Sequence, residues 1–365
     1  MSDFTVLVAS GGRRPYLVRW FREALRRNRV AGRVVVADLD PCSPAAAVAD
    51  AFVAAMPVVD PGYGDWLEAT LRREAVTLAV SINDFELSRW ARLEDRSVFD
   101  ALVRLDARRQ RTIEDKLAMA QLLADAGVTS PETLLASTAL RLGPEALKER
   151  LGADEFVVKG RYGSGSRGLG FARAASLPEA IARARAEVTH RDGRGEADPD
   201  AADELIVVQP RLQGTEHGVD VVTDLRGGFA TALVRRKIAM RAGETDRAES
   251  VDATPYLGLA RGVARALGHR GLVDLDVIRT VAGELSVIDV NPRFGGGYPL
   301  SHVAGADIPA AYVAWALGRI PEPDWLRTRP GTIAAKAVEV LAVASPEPEQ
   351  NRIPQEDPHG AAASV

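Results

Sequence analysis

Apolar and polar positions recur along most of the chain with periods that mark its elements. Phe4–Ala9 is a continuous apolar run ending in Ser10-Gly11-Gly12, and it reads as a strand. Pro15–Asn28 carries apolar residues at helical spacing, and Arg33–Leu39 is a second apolar run ending among the acids Asp38 and Asp40. This strand–helix–strand opening predicts an α/β unit. A helix over Asp65–Glu74 and a strand over Val76–Ile82 follow, the strand ending in Asn83-Asp84-Phe85-Glu86. Further on, the pattern predicts a helix over Asp115–Ala126 and strands over Phe156–Lys159 and Leu169–Arg173. A helix capped by Ser176–Glu179 runs to about Val188. Strands over Glu204–Leu212, His217–Asp224 and Phe229–Ala239 precede a helix over Thr254–Leu267. A closing helix, Asp307–Leu317, and a last strand, Thr332–Val343, complete the set.

The most informative stretch is Gly271–Gly297. Two apolar runs, LVDLDVI and LSVIDV, flank TVAGE, and the pair reads as a β-hairpin turning at Ala282-Gly283. Each strand carries an acid among aliphatic residues, Asp276 on the first and Asp289 at the end of the second. Asn291 follows Asp289 by two residues, so in extended chain both side chains leave the same face. One acid near a strand end ordinarily faces water. Two carboxylates and an amide oxygen converging are hard oxygen ligands, suited to Mg²⁺ or Mn²⁺ more than to zinc. Arg293 adds a fixed cation where a transferred phosphoryl group would sit.

Two other stretches carry candidate chemistry. After Phe156–Lys159, Gly163, Gly165 and Gly168 match G-x-G-x-x-G literally, but a strand follows instead of the helix that a dinucleotide turn requires. Strand, glycine-rich loop, strand is a flap whose backbone NH groups can fold over phosphates, with Lys159 able to reach their oxygens. Lys116 falls in the first turn of its helix, beside NH groups that attract anions. Asp84 and Glu86, just past a strand's C-terminal end, read equally as substrate contacts or as acids favoured at a helix N-terminus.

Composition narrows the function classes. The 365 residues are 46% apolar and 26% charged with a net charge of −4, so no basic field points to nucleic acid. No apolar run approaches the roughly 18 residues of a membrane span, and the N-terminus lacks a signal-peptide layout, so a cytoplasmic protein is expected. The single cysteine, Cys42, rules out an internal disulfide and a Cys-based zinc cluster. Only five of the 46 basic residues are lysines, and a retained lysine in so arginine-rich a chain is informative. None sits in the G-x-x-x-x-G-K-[ST] context of a P-loop, and no histidine is followed by glutamate as in HExxH.

The order Lys in a helix, VVK with a glycine flap, QPRLQGTE, LVDLD and IDVNPRFGGG resembles the ATP-grasp superfamily. The likeness is greatest to the branch of the carbamoyl-phosphate synthetase large subunit and its amino-acid ligases. It implies an α/β fold, α+β in the ATP-binding part. A pre-ATP-grasp, Rossmann-like domain (1–110) would precede a small lobe with the flap (111–203) and a large lobe with the metal site (204–345). Residues 346–365 would form a disordered tail. The resemblance implies that Lys116 and Lys159 hold ATP phosphates beneath Gly165 and Ser166. Gln209, Pro210, Arg211 and Leu212 would form the inter-lobe segment whose backbone meets adenine, and Glu216 would take the ribose hydroxyls. Asp276, Asp289 and Asn291 would bind Mg²⁺ (or Mn²⁺), and Arg293 would steady the phosphoryl group. Three positions depart from the family pattern. Gly160 replaces a proline after the flap lysine, Pro210 an acid in the adenine segment, and Asp289 a glutamate at the metal.

The activity implied is ligation of a small-molecule carboxylate to an amine through an acyl phosphate, with ADP as product, on amino acids or amino-acid-like metabolites. Arg241, Arg293 and Gly295, Gly296 and Gly297 would face the acceptor, with Asp84 and Glu86 as amine contacts. The alternatives are a carboxylase-type enzyme that activates bicarbonate and a non-catalytic ATP-binding module. Neither nucleic acid nor membrane is an expected partner, and the resemblance leans towards a homodimer.

Overall fold

A computed structural model describes residues 4–163, 169–192 and 203–343. The chain opens with β1 (Phe4–Ala9), α1 (Pro15–Arg27), β2 (Gly32–Asp38), β3 (Ala51–Ala54), α2 (Tyr63–Arg73), β4 (Val76–Ser81) and α3 (Asp84–Ala91). Its four strands form a parallel sheet in the order β3-β2-β1-β4. Both faces are covered, which is why these strands read as continuous apolar runs and not as alternation. The order reverses between β1 and β4, so the crevice at their C-terminal ends is where an open α/β sheet receives a ligand.

Helices α4 (Ala107–Glu114) and α5 (Lys116–Asp125) follow. By sequence, Thr112-Ile113-Glu114-Asp115 resembles a capping box opening the second of these helices. Instead the cap is Asp115, whose carboxylate accepts from the NH groups of Leu117 and Ala118, while the Thr112 hydroxyl donates back to the Arg108 carbonyl inside α4. An acid with two NH groups in reach outcompetes a threonine already inside a helix. The expected domain boundary at residue 110 therefore falls within α4.

The middle of the chain builds a small lobe from β5 (Leu134–Leu135), α6 (Ala136–Leu142), α7 (Pro144–Leu151), β6 (Glu155–Gly160), β7 (Gly170–Arg173), α8 (Leu177–Asp192) and β8 (Ile206–Pro210), with sheet order β5-β8-β6-β7. β6 and β7 are antiparallel, as a strand–loop–strand flap requires. Gly165, Ser166 and Gly168 lie outside the described residues, as do most of the polar stretch after α8 and the expected tail.

The large lobe is a six-stranded antiparallel sheet of β9 (Gly214–Thr223), β10 (Phe229–Arg241), β11 (Glu244–Val251), β12 (Leu272–Thr280), β13 (Leu285–Asn291) and β14 (Ile333–Ala335), in the order β13-β12-β9-β10-β11-β14. Val219, Val221, Val273, Leu275 and Val277 are buried on one face against α9 (Leu257–Leu267). The opposite face carries Asp274 and Asp276. Helices α10 (Tyr298–Val303) and α11 (Ile308–Ala316) close the chain against α1. Their Tyr298, Tyr312 and Val313 share one core with Phe21, Val222, Leu233 and Leu272, so the N-terminal unit and the large lobe are packed together.

The last strand is shorter than the alternation of Thr332–Val343 predicts. Only Ile333–Ala335 pairs, with Arg247–Glu249 of β11, and the following residues are predominantly exposed. Period-2 patterning announces a strand but cannot supply the edge that pairs with it. Among the described residues no helix is long and apolar enough to cross a membrane.

Candidate functional site

The hairpin β12–β13 turns where the sequence places it, with Gly283 at φ 87°. Its register sets Asp276 directly opposite Asp289 and Asp274 opposite Asn291. All four lie on the face away from the Val273–Leu275–Val277 core. A register irregularity after Asp276 leaves Ile288 as an extra residue on β13, and its carbonyl accepts Lys159 Nζ at 3.1 Å. Bulges re-aim side chains in this way. This one brings the flap lysine beside Asp289.

Lys116, nearly buried at the start of α5, lies with Nζ 3.9 Å from Asp289 Oδ1 and donates to the Gly163 carbonyl at 2.8 Å. It thereby joins the flap's near end to the carboxylate. Burial works against ionisation of Asp289, but Lys116, Lys159 and the Asn291 amide prevail and hold its carboxyl below the usual range. Burial, helped by the charge of Lys116, lowers the Lys159 ammonium to about 8, with Asp289 opposing.

Asp276 is engaged differently. Lys237 Nζ donates to its Oδ1 at 2.6 Å and also to Glu216 Oε1. Burial still raises the Asp276 carboxyl above the usual range, and the neighbouring Asp274 and Asp289 add to the rise. The sequence pattern leaves Lys237 unassigned, as one of three successive cations on the strand over Phe229–Ala239. Strand alternation was the available signal: Arg236 points outward to Glu249, while Arg235 and Lys237 point to the acidic face.

Arg235 is 2% exposed and joins Asp220, Asp274 and Ser301 in a buried network the sequence did not reveal. Three glycines are explained by it and its neighbours. A Cβ on Gly218 or Gly297 would fall 2.7 Å or 2.2 Å from Arg235 Nε, and one on Gly295 would fall 2.0 Å from Asp274 Oδ2. Gly295 thus makes room for Asp274. Gly296 has the Glu244 carboxylate over it, 2.7 Å from the position its Cβ would take. Arg241 is exposed at the end of β10, opposite Glu244 across the hairpin.

Arg293 leaves β13 beside Asn291, whose Oδ1 is 3.4 Å from its Nη2. Its fork is held by Asp84 of the N-terminal unit, Nε to Oδ1 at 2.6 Å and Nη2 to Oδ2 at 3.0 Å. Asp84 is the first residue of α3, with Asn83 as N-cap, so an acid at a helix N-terminus doubles as the partner of a cation from another domain. Glu86 is not a surface contact. It is 1% exposed, accepts from Tyr63 OH and Ser81 Oγ at 2.6 Å each, and burial pushes its carboxyl up.

In the segment expected to meet adenine, Gln209 is buried, its amide donating to Thr133 Oγ1 at 2.7 Å, while Arg211 is tied to Glu155 and stacks over Phe171. Neither side chain points freely into the cleft. Leu212 lies two residues past the end of β8. Among the described residues no group of three or more His, Cys, Asp or Glu side chains is placed to hold a metal. The oxygen set is two carboxylates and one amide.

Residues 202–340 match the family described as ATP-grasp in the biosynthetic pathway with Ter operon. The large lobe thus matches an ATP-grasp family. Residues 6–100 match the PylC-like N-terminal domain. Among curated proteins none gives a significant match. Solved structures share the fold at low identity. The biotin carboxylase–β-γ-ATP complex of Campylobacter jejuni superposes with a TM-score of 0.66 at 17% identity, over 91% of this chain and 75% of that one. L-amino acid ligase of Bacillus licheniformis gives 0.62 at 15%, over 90% and 78%. N5-carboxyaminoimidazole synthetase of Staphylococcus aureus gives 0.62 at 15%, over 88% and 80%.

Proposed function

We propose that this protein is an ATP-dependent ligase that joins a small carboxylate to an amine through an acyl phosphate. The observation that carries the reading is the convergence of Asp276, Asp289 and Asn291 on one sheet face with Lys116, Lys159 and Arg293 around them. Two carboxylates and an amide oxygen fit a hard divalent cation, and the depressed carboxyl of Asp289 keeps it ionised for that role. Asp276, Asp289 and Asn291 would hold Mg²⁺ or Mn²⁺. The bound cation would withdraw charge from phosphate oxygens and offset what develops during transfer.

The chain's own groups do the rest. Lys116 and Lys159 place two ammonium groups beside Asp289, matching a polyphosphate. Arg293, fixed by Asp84, presents a rigid guanidinium beside Asn291 to charge developing on a transferred phosphoryl group. The segment Gln209–Leu212 would offer backbone groups to adenine. Glu216, part-exposed beside Lys237, would meet the ribose. A carboxylate is a poor electrophile, and phosphorylation gives it a leaving group, so no protein nucleophile is needed.

A carboxylase-type reading, with bicarbonate as the activated carboxylate, is favoured by two of the fold neighbours, a biotin carboxylase and an N5-carboxyaminoimidazole synthetase. A screen of ADP release over paired carboxylates and amines, with bicarbonate included and product masses read, separates the readings. Ligation gives a product whose mass is the sum of acid and amine less water. ADP release with bicarbonate alone supports the carboxylase, and no substrate-dependent release supports a non-catalytic module.

A further inference from the structure

Next to Arg293 the molecule assembles a second cationic site that the phosphoryl chemistry does not use. The loop after β1 contributes Arg14, the residue after β14 contributes Lys336, and the β10–β11 hairpin contributes Glu244. Lys336 Nζ donates to Glu244 Oε2 at 2.6 Å, and Arg14 Nη2 to Oε1 at 3.3 Å. Arg14 is itself anchored, its Nη1 donating to the Phe294 carbonyl at 3.0 Å, in the same segment as Arg293 and the glycines. The floor is Gly296, bare where a Cβ would strike the Glu244 carboxylate. Against the upward push of burial, Lys336, Arg14 and Arg293 hold the Glu244 carboxyl below the usual range, which places Arg293 within electrostatic reach.

The balance of exposure is informative. The Arg14 side chain is 15% exposed and Lys336 25%, whereas Glu244 is 51% exposed on a hairpin tip. Two confined cations thus meet one loosely held carboxylate on a site open to solvent. A ligand carboxylate could take the same two donors while Glu244 turns into water, because charge-assisted hydrogen bonds from a fixed fork and an ammonium do not discriminate between carboxylates.

We propose that Arg14 and Lys336, over Gly296, recognise a second carboxylate on the acceptor, and that Glu244 occupies this position in its absence. The acceptor is then a dicarboxylic or amino-dicarboxylic acid, with one carboxylate reacting at Arg293 and the other held here. The identity of the acceptor rests on the ligase reading above; the carboxylate site stands independently of it.

Calorimetric titration of the nucleotide-free, full-length protein tests the site directly, with succinate, glutarate, aspartate and glutamate against butyrate and alanine. At least one dicarboxylate binds. Arg14→Gln and Lys336→Gln each weaken it roughly tenfold, the scale for a lost hydrogen bond to a charged group. Glu244→Gln tightens it, and the monocarboxylates respond to none of the three. Lys336 follows a short edge strand, so its variant remains informative if Arg14→Gln unfolds, with circular dichroism as the check on folding. The site is overturned if folded Lys336→Gln binds dicarboxylates like wild type, or if neither wild type nor Glu244→Gln binds any. ADP release then judges the acceptor. Binding without ADP release on addition of ATP and amines keeps the site and defeats the ligase reading; release with monocarboxylates only overturns the acceptor class.

Discussion

Asp84 and Arg293 stand 209 residues apart in the chain and meet as a two-pronged ion pair, the first turn of α3 against a residue two positions past the end of β13. The pair fixes the guanidinium in direction as well as position, and it makes the N-terminal unit a participant in the site. A guanidinium fork matched to two carboxylate oxygens is geometry that an ammonium cannot reproduce.

Arg293→Ala is expected to lower turnover by roughly 10²–10³-fold, the scale for removing a group that stabilises transition-state charge. Arg293→Lys should recover little of it. Asp84→Asn should lower turnover less than Arg293→Ala, since the cation remains but loses its anchor. Steady-state kinetics on the three variants check this ordering, and near-normal turnover in Arg293→Ala would remove its assigned role.

Glu86 supplies a pH signature. Its folded carboxyl is raised by burial, so the stability it contributes is present below the unfolded value of about 4.3 and lost as pH rises through the folded value. Glu86→Gln keeps the shape and removes that loss. Denaturant titrations from pH 4 upward should show the variant gaining on wild type as pH rises, then a constant difference. A difference independent of pH across the series would mean that Glu86 is not protonated in the fold.

Gly297→Ala tests the buried network. The added methyl would fall 2.2 Å from Arg235 Nε, forcing the guanidinium away from Asp220 and Asp274. Disturbing a buried ion pair in this way should cost about 3 kcal/mol, measurable by chemical denaturation. Gly283→Ala, with nothing within 4 Å of its added methyl, separates the two causes because only backbone strain at φ 87° acts there.

Much of the site was legible because strand alternation is strict. The two-residue spacing of Asp289 and Asn291 places both on one face, and the aliphatic runs around Asp276 fix which face is buried. Alternation also put Lys237 and Arg235 on that face, but a basic triplet on a strand resembles a solvated run until the acids opposite are known. Glu86 does lie in the first turn of α3, but its burial was not legible because position in a first turn does not reveal it. That depends on Tyr63 and Ser81 from neighbouring elements. Arg14, Glu244 and Lys336 come from three distant parts of the chain, and no local pattern joins them. The strand after Thr332 was half right, since pattern gives propensity and only β11 gives a partner.

The central claim is that Asp276, Asp289 and Asn291 gather a divalent cation that serves a nucleotide's phosphates. Mn²⁺ binding followed by electron paramagnetic resonance, with and without ATP, tests it most directly on wild type, Asp289→Asn and Asp276→Asn. The account predicts that wild type binds Mn²⁺ and more tightly with ATP, and that each folded variant loses most of that ATP-dependent binding. Unchanged ATP-dependent Mn²⁺ binding in both variants would contradict it.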